Sequence, residues 1–177
     1  MNRPLLGTVD RDAGAVHLER VLSVPPHEVW AALTDPARLR AWLGHVIEGR
    51  PGPAARFVLR MDDQETATCT VTTWDPPREL GLTWDYTGEG PSVLRLGLVD
   101  IGGGTRLTLD HERLPVDPVQ YGAGWHAHLD ALDGHLTGAA AFEEGCEGAD
   151  FAAAFDDLMP RYAAVAVGGA SHERTGG

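Results

Sequence analysis

Two histidines, His111 and His128, are the side chains of this chain best suited to acid–base or polar ligand chemistry. A neutral imidazole can orient a carbonyl or hydroxyl group of a ligand, or accept a proton as a general base. No serine or cysteine is tied to either histidine by a motif, so the sequence does not indicate a nucleophilic triad. The alternative, which we favour for each, is a structural histidine whose hydrogen bonds are satisfied within the core.

Apolar and aromatic side chains alternate along the segments around these histidines. Residues two apart in a strand share a face, and segments 80–86, 94–98 and 107–111 each place apolar residues on a single face. If those faces point inward, they form a mostly apolar pocket with a few polar groups, the usual form of a small-molecule site. The alternative is that the same residues only fill the core. The residues we expect to contact a ligand are Trp42, Trp84, Tyr86, Leu96, Leu98, Leu109, His111, Tyr121, Trp125, His128 and Leu132.

The spacing of histidines and cysteines does not match a known metal site. His126 and His128 are two apart on a predicted helix and therefore point about 200° apart. His128 and His135 share a face but are two turns apart, and the motif H-E-x-x-H is absent. Cys69 and Cys146 form no C-x-x-C pair and are expected to be free thiols. We therefore expect no metal site and no cofactor.

The stretch V-P-P-H-E-V-W-A-A-L-T-D-P-A-R-L-R-A-W-L predicts two short helices after a first strand at 15–24. Two prolines end that strand and suit the first turn of a helix. Asp35 followed by Pro36 has the residue types of an N-cap and first helical residue, so a second helix begins there. Trp42 lies on the apolar face of this second helix and is expected to border the mouth of a cavity.

Five further strands are predicted between residues 55 and 114, where the apolar pattern changes to short alternating runs. Gly102, Gly103 and Gly104 separate two of these runs and therefore predict a hairpin turn. Because no helix follows the glycines, a phosphate-binding loop is not indicated. The five segments are 55–61, 66–74, 79–86, 92–101 and 105–114.

Two longer helical segments follow the strands. Asp117 and Pro118 have the residue types of an N-cap and first helical position, so a helix with one apolar face is predicted over 117–136. Apolar residues between 151 and 165 again recur at helical spacing, and Pro160 predicts a kink or break there. An amphipathic helix must bury its apolar stripe. We expect it to pack on its own domain, with a homodimer surface as the alternative.

The length of 177 residues predicts one domain with terminal extensions. We divide the chain into an N-terminal arm (1–14), a main domain (15–137), a helical C-terminal extension packed on that domain (138–167) and a disordered tail (168–177).

Charge and hydropathy exclude several classes of protein. The net charge of −12 argues against binding nucleic acid and anionic membranes. No apolar run reaches the roughly 18–20 residues of a membrane-spanning helix, so we expect no membrane insertion. The N-terminus lacks a basic segment followed by an apolar one, which argues against a secretory signal and favours a cytoplasmic protein.

Several motifs in this order resemble the START/Bet v 1-like helix-grip superfamily (SRPBCC). Within it, the branch named for the activator of heat-shock protein 90 ATPase is the most similar. The motifs are the two-helix stretch above, W-D-P-P-R-E-L-G-L-T-W, G-G-G-T-R-L-T-L-D-H-E-R-L and Y-G-A-G-W-H-A-H-L-D-A-L-D-G-H-L, and F-D-D-L-M-P-R-Y fits the tail of bacterial members. The resemblance covers about residues 15–165. It implies an α+β helix-grip fold, in which a curved antiparallel sheet of about six to seven strands wraps around a long C-terminal helix, with two short helices after the first strand.

The resemblance also implies three candidate functions. Members of the superfamily bind lipids, hormones, polyketides or other apolar molecules between sheet and helix, so our first hypothesis is a carrier, sensor or stress-response protein with a lipid-, polyketide- or aromatic-like ligand. The second is a cavity enzyme, a cyclase, dehydratase or hydrolase, using His111 or His128 as acid or base. The third is a co-chaperone-like activator of an ATPase. We favour a chaperone partner least, because no added chaperone-binding segment is visible.

Overall fold

The computed structural model describes residues 7–139 and 149–169, and these form an α+β structure built on an antiparallel sheet. Cys146 and most of the tail predicted at 168–177 lie outside the described residues. The strands are β1 (Thr8–Asp10), β2 (Ala15–Leu22), β3 (His45–Gly49), β4 (Arg56–Arg60), β5 (Thr66–Asp75), β6 (Glu79–Tyr86), β7 (Gly90–Asp100) and β8 (Thr105–Glu112).

The helices are two short and two long ones: α1 (Pro26–Thr34), α2 (Pro36–Leu39), α3 (Pro118–Thr137) and α4 (Ala149–Val165). The eight strands follow the order β1-β2-β8-β7-β6-β5-β4-β3 across one sheet. This arrangement confirms the predicted fold class. The described sheet has eight strands rather than six to seven because the short strands β1 and β3 were not predicted.

The register of the sheet aligns the apolar faces of its central strands. Leu18 of β2 pairs with Leu109 of β8, which pairs with Leu96 of β7, which pairs with Leu80 of β6. All four leucines are buried. Because side chains alternate across a strand, this register places a continuous row of leucine on the inner face. Helix α3 packs against the β2 end of this row.

The glycine-rich segment between β7 and β8 is the predicted hairpin turn. Gly102 and Gly103 have φ angles of +85° and +96°, which glycine adopts at no steric cost. The Ile101 amide donates to the Gly104 carbonyl across the turn at 3.0 Å. The turn thereby joins two long strands whose inner faces support the site.

The break between α1 and α2 follows the predicted Asp-Pro signal. The Asp35 carboxylate accepts a hydrogen bond from the Ala37 amide at 2.9 Å, and Pro36 occupies the first helical position. Trp42 follows α2 and is fully buried, with its Nε1–H donating to the Ala32 carbonyl at 2.9 Å. Trp42 therefore ties the segment after α2 to α1.

The two long helices pack against each other and close one side of the molecule. Asp117 caps α3 by accepting a hydrogen bond from the Val119 amide at 3.1 Å, as its position predicts. Helix α4 contacts α3 and β1. It does not break at Pro160, so that alternative of the prediction is wrong. The hydrogen bond that proline removes is to the carbonyl of the exposed residue Asp156, where water can hydrate that carbonyl.

Candidate ligand-binding site

A cavity of about 460 Å³, partly open to solvent, lies between β6, α3 and α4. Helix α3 contacts β2 and β1 of the sheet, and α4 packs against α3 and contributes residues to the cavity. The lining residues are Met61, Asp62, Trp84, Tyr86, Glu89, Gln120, Tyr121, Gly124, Trp125, His128, Phe151, Ala152, Phe155 and Asp156.

Aromatic rings form a continuous wall of the cavity. The rings of Trp84 on β6 and Trp125 on α3 meet edge to face with centroids 5.3 Å apart. Trp125 is 5.7 Å from the His128 ring, which is 4.6 Å from the Phe151 ring of α4. Such edge-to-face and tilted contacts are favourable between aromatic quadrupoles and hold the rings in defined orientations. The wall therefore joins the sheet to both long helices.

A buried chain of hydrogen bonds lies behind this wall. Trp125 Nε1–H donates to His111 Nδ1 at 2.9 Å, so that nitrogen is an acceptor and the proton of the neutral ring is on Nε2. His111 Nε2 lies 2.7 Å from Ser92 Oγ, whose hydroxyl donates to the Trp84 carbonyl at 3.0 Å. Burial lowers the pKa of His111 to about 3. His111 is therefore neutral and fixes the orientation of Trp125.

His128 is the histidine that reaches the cavity wall. Its Nδ1–H donates to the Trp42 carbonyl at 2.9 Å, which fixes the ring orientation. Burial lowers the pKa of His128 to about 4, and the hydrogen bond to the carbonyl opposes that shift only in part. The imidazole is therefore neutral near pH 7.

Phenols and carboxylates define the polar side of the cavity. The Tyr121 hydroxyl donates to Glu89 Oε2 at 2.5 Å, and burial together with this carboxylate raises the pKa of Tyr121. Burial raises the pKa of Tyr86 to about 12, with further contributions from Glu65, Asp62 and Glu89. Both phenols are therefore protonated. Among the described lining residues there is no arginine, and the chain contains no lysine.

The family profile described as Activator of Hsp90 ATPase homolog 1-like protein matches residues 23–137. The chain belongs to this family. The match confirms the resemblance stated from the motifs, and the structure has the fold of the SRPBCC superfamily to which the family belongs.

Solved structures extend the similarity over nearly the whole chain. The solution structure of CalU16 from Micromonospora echinospora is 25% identical, with a TM-score of 0.73 over 93% of this chain and 96% of that one. A protein of Bordetella parapertussis, BPP1335, is 28% identical, with a TM-score of 0.64 over 92% of both chains. DynU16, described as a protein of the dynemicin biosynthetic locus, is 26% identical with a TM-score of 0.66, over 75% of this chain and 51% of DynU16. A search of curated proteins finds no match.

In this chain, the residues predicted to contact a ligand fall into two groups. Five line the cavity: Trp84, Tyr86, Tyr121, Trp125 and His128. The other six are buried in the core and do not line it: Trp42, Leu96, Leu98, Leu109, His111 and Leu132. Trp42 is buried beside α1 and does not line the cavity, and the inward faces of β7 and β8 are covered by packing.

Several lining residues of this family member were not predicted. Phe151 and Phe155 belong to the apolar stripe of α4, whose need for burial was recognised but not its location. Asp62 lies in the turn between β4 and β5, and Glu89 lies in a glycine-rich turn, and neither turn carries a ligand signal in the sequence. These side chains reach the cavity through the packing of α4 and the path of the turns, both of which depend on contacts between residues distant in the sequence.

Two exclusions concern only the described part of the protein. No helix within residues 7–139 and 149–169 is long and apolar enough to cross a membrane. In the same ranges, no three side chains of His, Cys, Asp or Glu converge in a way that would hold a metal ion.

Proposed function

We propose that this chain binds an apolar small molecule, of lipid-, polyketide- or aromatic-like chemistry, in the cavity between the sheet and α3. It would act as a cytoplasmic carrier, sensor or stress-response protein. The observation that carries this proposal is a cavity of about 460 Å³ walled by Trp84, Trp125 and Phe151. Ligand sites usually have about 300–1,000 Å³ of mostly apolar space with a few polar groups.

Membership of the family supports a small-molecule site, and one structural neighbour adds to this support. DynU16 is described as belonging to the dynemicin biosynthetic locus, which favours a biosynthetic small molecule as the ligand of this chain as well. The support is an analogy of fold and family.

Binding is favoured over catalysis by the state of the two histidines. His111 has both ring nitrogens engaged in the core, and its side chain does not line the cavity. His128 lines the cavity, but its pKa of about 4 makes it a weak base near pH 7, where a general base works best with a pKa close to the ambient pH. The co-chaperone alternative stays a prediction, to be tested by stimulation of a purified chaperone ATPase.

Fluorescence titration with Nile red, an uncharged apolar dye, tests the proposal directly. We expect saturable binding by the native chain. Ala152→Trp should weaken it at least about tenfold, because a large side chain enters the cavity. Ala153→Trp is the matched control, since Ala153 is an exposed neighbour on α4 that does not line the cavity. Absence of saturable binding, or equal loss in both variants, would contradict the proposal.

A further inference from the structure

The cavity wall contains a buried hydrogen-bond donor without a partner. Among the described residues, Trp84 Nε1 has no acceptor within hydrogen-bonding geometry, and the Trp84 side chain is only 2% exposed. Leaving a buried donor unsatisfied costs about 1–3 kcal/mol. The other two tryptophans buried around the site differ in this respect, because Trp42 and Trp125 both donate from Nε1. The unsatisfied donor is therefore specific to the one tryptophan that the sheet contributes to the wall.

The surroundings of this donor point to a polar ligand atom. The Trp84 indole N–H acts on Tyr121 as a hydrogen-bond donor would, toward lowering the pKa of that phenol, but the contact falls short of hydrogen-bonding geometry. The Tyr121 hydroxyl proton is committed to Glu89. The nitrogen is shielded from water, so a ligand acceptor would reach it only after a local rearrangement of the cavity wall. A carbonyl oxygen on a ligand would satisfy the N–H there.

The charges around the same cavity limit what such a ligand can be. Carboxylates of Asp62, Glu89 and Asp156 line it, without an arginine among the described lining residues. His128 is neutral near pH 7 and does not offset them. A carboxylate on a ligand would meet repulsion without a compensating cation. A fatty acid or another anionic amphiphile is therefore disfavoured.

Resting on the proposed function, we propose that the ligand is an aromatic molecule without negative charge that presents a carbonyl-type acceptor to Trp84 Nε1–H. The aromatic wall selects the ring system, the indole N–H selects the acceptor, and Glu89 with its neighbouring carboxylates rejects anions. This narrows the lipid-, polyketide- or aromatic-like class to uncharged or cationic aromatic ketones and related acceptors.

A matched set of three small probes tests this inference on the native chain. The probes are 2-acetylnaphthalene, which carries an acceptor, 2-ethylnaphthalene, which lacks one, and 2-naphthoate, which is anionic. In proton–nitrogen correlation spectra, the chain has five tryptophan indole signals. The signal of Trp84 should move downfield on addition of 2-acetylnaphthalene and not on addition of 2-ethylnaphthalene, since a new hydrogen bond deshields the proton.

Two variants test the same inference through the affinities of the probes, measured by displacement of Nile red. Trp84→Phe should weaken binding of 2-acetylnaphthalene about tenfold more than that of 2-ethylnaphthalene, equivalent to one hydrogen bond. Glu89→Gln keeps an acceptor for Tyr121 but removes the charge, so it should strengthen binding of 2-naphthoate at least about threefold relative to the ketone.

The outcomes separate this inference from the proposed function. If neither Nile red nor any probe binds, the proposed function fails. If the probes bind but the Trp84 signal responds equally to the ethyl and acetyl compounds, the acceptor is wrong and the inference is overturned while the proposed function stands. The same holds if 2-naphthoate binds as tightly as the ketone, or gains nothing from Glu89→Gln. The spectra need no variant, so a Trp84→Phe chain that fails to fold leaves the inference testable.

Discussion

Helix α3 uses the same residue types in opposite ways on its two sides. On the side toward α4 and β1, a Cβ added to Gly122 would lie 2.9 Å from Tyr162 and 2.9 Å from Val9. On the cavity side, a Cβ added to Gly124 would meet its nearest atom, in the Phe155 ring, at 3.9 Å. The first glycine permits close packing, and the second leaves space. Neighbouring glycines of one helix can therefore serve a closed interface and an open site.

The histidine–tyrosine contacts show the same contrast. On the closed side, His126 Nδ1 lies 2.8 Å from the Tyr162 hydroxyl, which also accepts the Gly7 amide at 3.0 Å. On the cavity side, the Tyr121 hydroxyl donates to the partly exposed Glu89. Tyr162 joins α4 to α3 and to the segment before β1, whereas the Tyr121 hydroxyl joins α3 only to a side chain in the turn between β6 and β7. The closed side thus holds α4 as one wall of the cavity.

Acidification should produce the largest loss of stability. The loss should originate at His111, behind the cavity wall, and at His128, within the wall. The pKa values of His111 and His128 are lowered by burial to about 3 and about 4, against about 6.5 in the unfolded chain. Their neutral forms stabilise the fold fully above about pH 6.5, and this stability is lost as the pH falls toward the folded-state values. By about pH 4, each of the two histidines should have lowered the free energy of unfolding by on the order of 3 kcal/mol.

Urea unfolding across this pH range measures the slope. His111→Gln, which retains hydrogen-bonding groups but does not titrate, should make the decrease in unfolding free energy with falling pH visibly shallower. An unchanged slope in that variant would show that His111 does not cause the acid sensitivity and would contradict the prediction.

Gly122→Ala should have the next largest effect and tests the closed side. The new Cβ would be 2.9 Å from both Tyr162 and Val9, so α4 or β1 must shift. We expect a loss of about 2 kcal/mol, because overpacking costs about 1–3 kcal/mol and outweighs the higher helix propensity of alanine. Thermal and urea unfolding measure the loss. An unchanged or higher unfolding free energy would show that the contacts of α3 with α4 and β1 accommodate the methyl group, contrary to the close packing inferred for Gly122.

Tyr162→Phe and Tyr121→Phe form a matched pair with a smaller effect. Removing the Tyr162 hydroxyl leaves the His126 ring and the Gly7 amide without that partner, at a cost of about 1–2 kcal/mol. Removing the Tyr121 hydroxyl frees Glu89, which water can solvate, so its cost should be below about 0.5 kcal/mol. Equal losses, measured by urea unfolding, would contradict a difference between the sides.

Much of the fold could be predicted from local chemistry. Alternation along the strands determined which side chains face inward, and Asp35 and Asp117 marked helix starts that the structure confirms. Strands β1 and β3 were missed because three and five residues are too few to show a clear period, and they form by pairing with distant partners. Helix α4 continues through Pro160 because packing supports both halves, which a local rule cannot include.

The candidate site could be predicted only in part, for a related physical reason. Alternation identifies the inner face of a strand but not whether a helix covers it. Trp84 and Leu96 both face inward, yet Trp84 meets the cavity and Leu96 is packed in the core. The acidic residues Asp62 and Glu89 reach the cavity through turns, whose direction depends on the whole sheet. Whether any of these residues contacts a ligand stays a prediction.

Gly124→Ala should have the smallest effect on stability and is the most informative about the cavity. A methyl group fits beside Phe155 at 3.9 Å, so the higher helix propensity of alanine should raise the unfolding free energy by roughly 0.5 kcal/mol. The same methyl group occupies space in the cavity, and we expect Nile red to bind at least about threefold more weakly. Urea unfolding and dye titration measure the two effects on one sample. A variant that is more stable and binds the dye more weakly would show that Gly124 keeps the cavity open at the expense of helix stability. A destabilised variant would show instead that Gly124, like Gly122, is required for close packing.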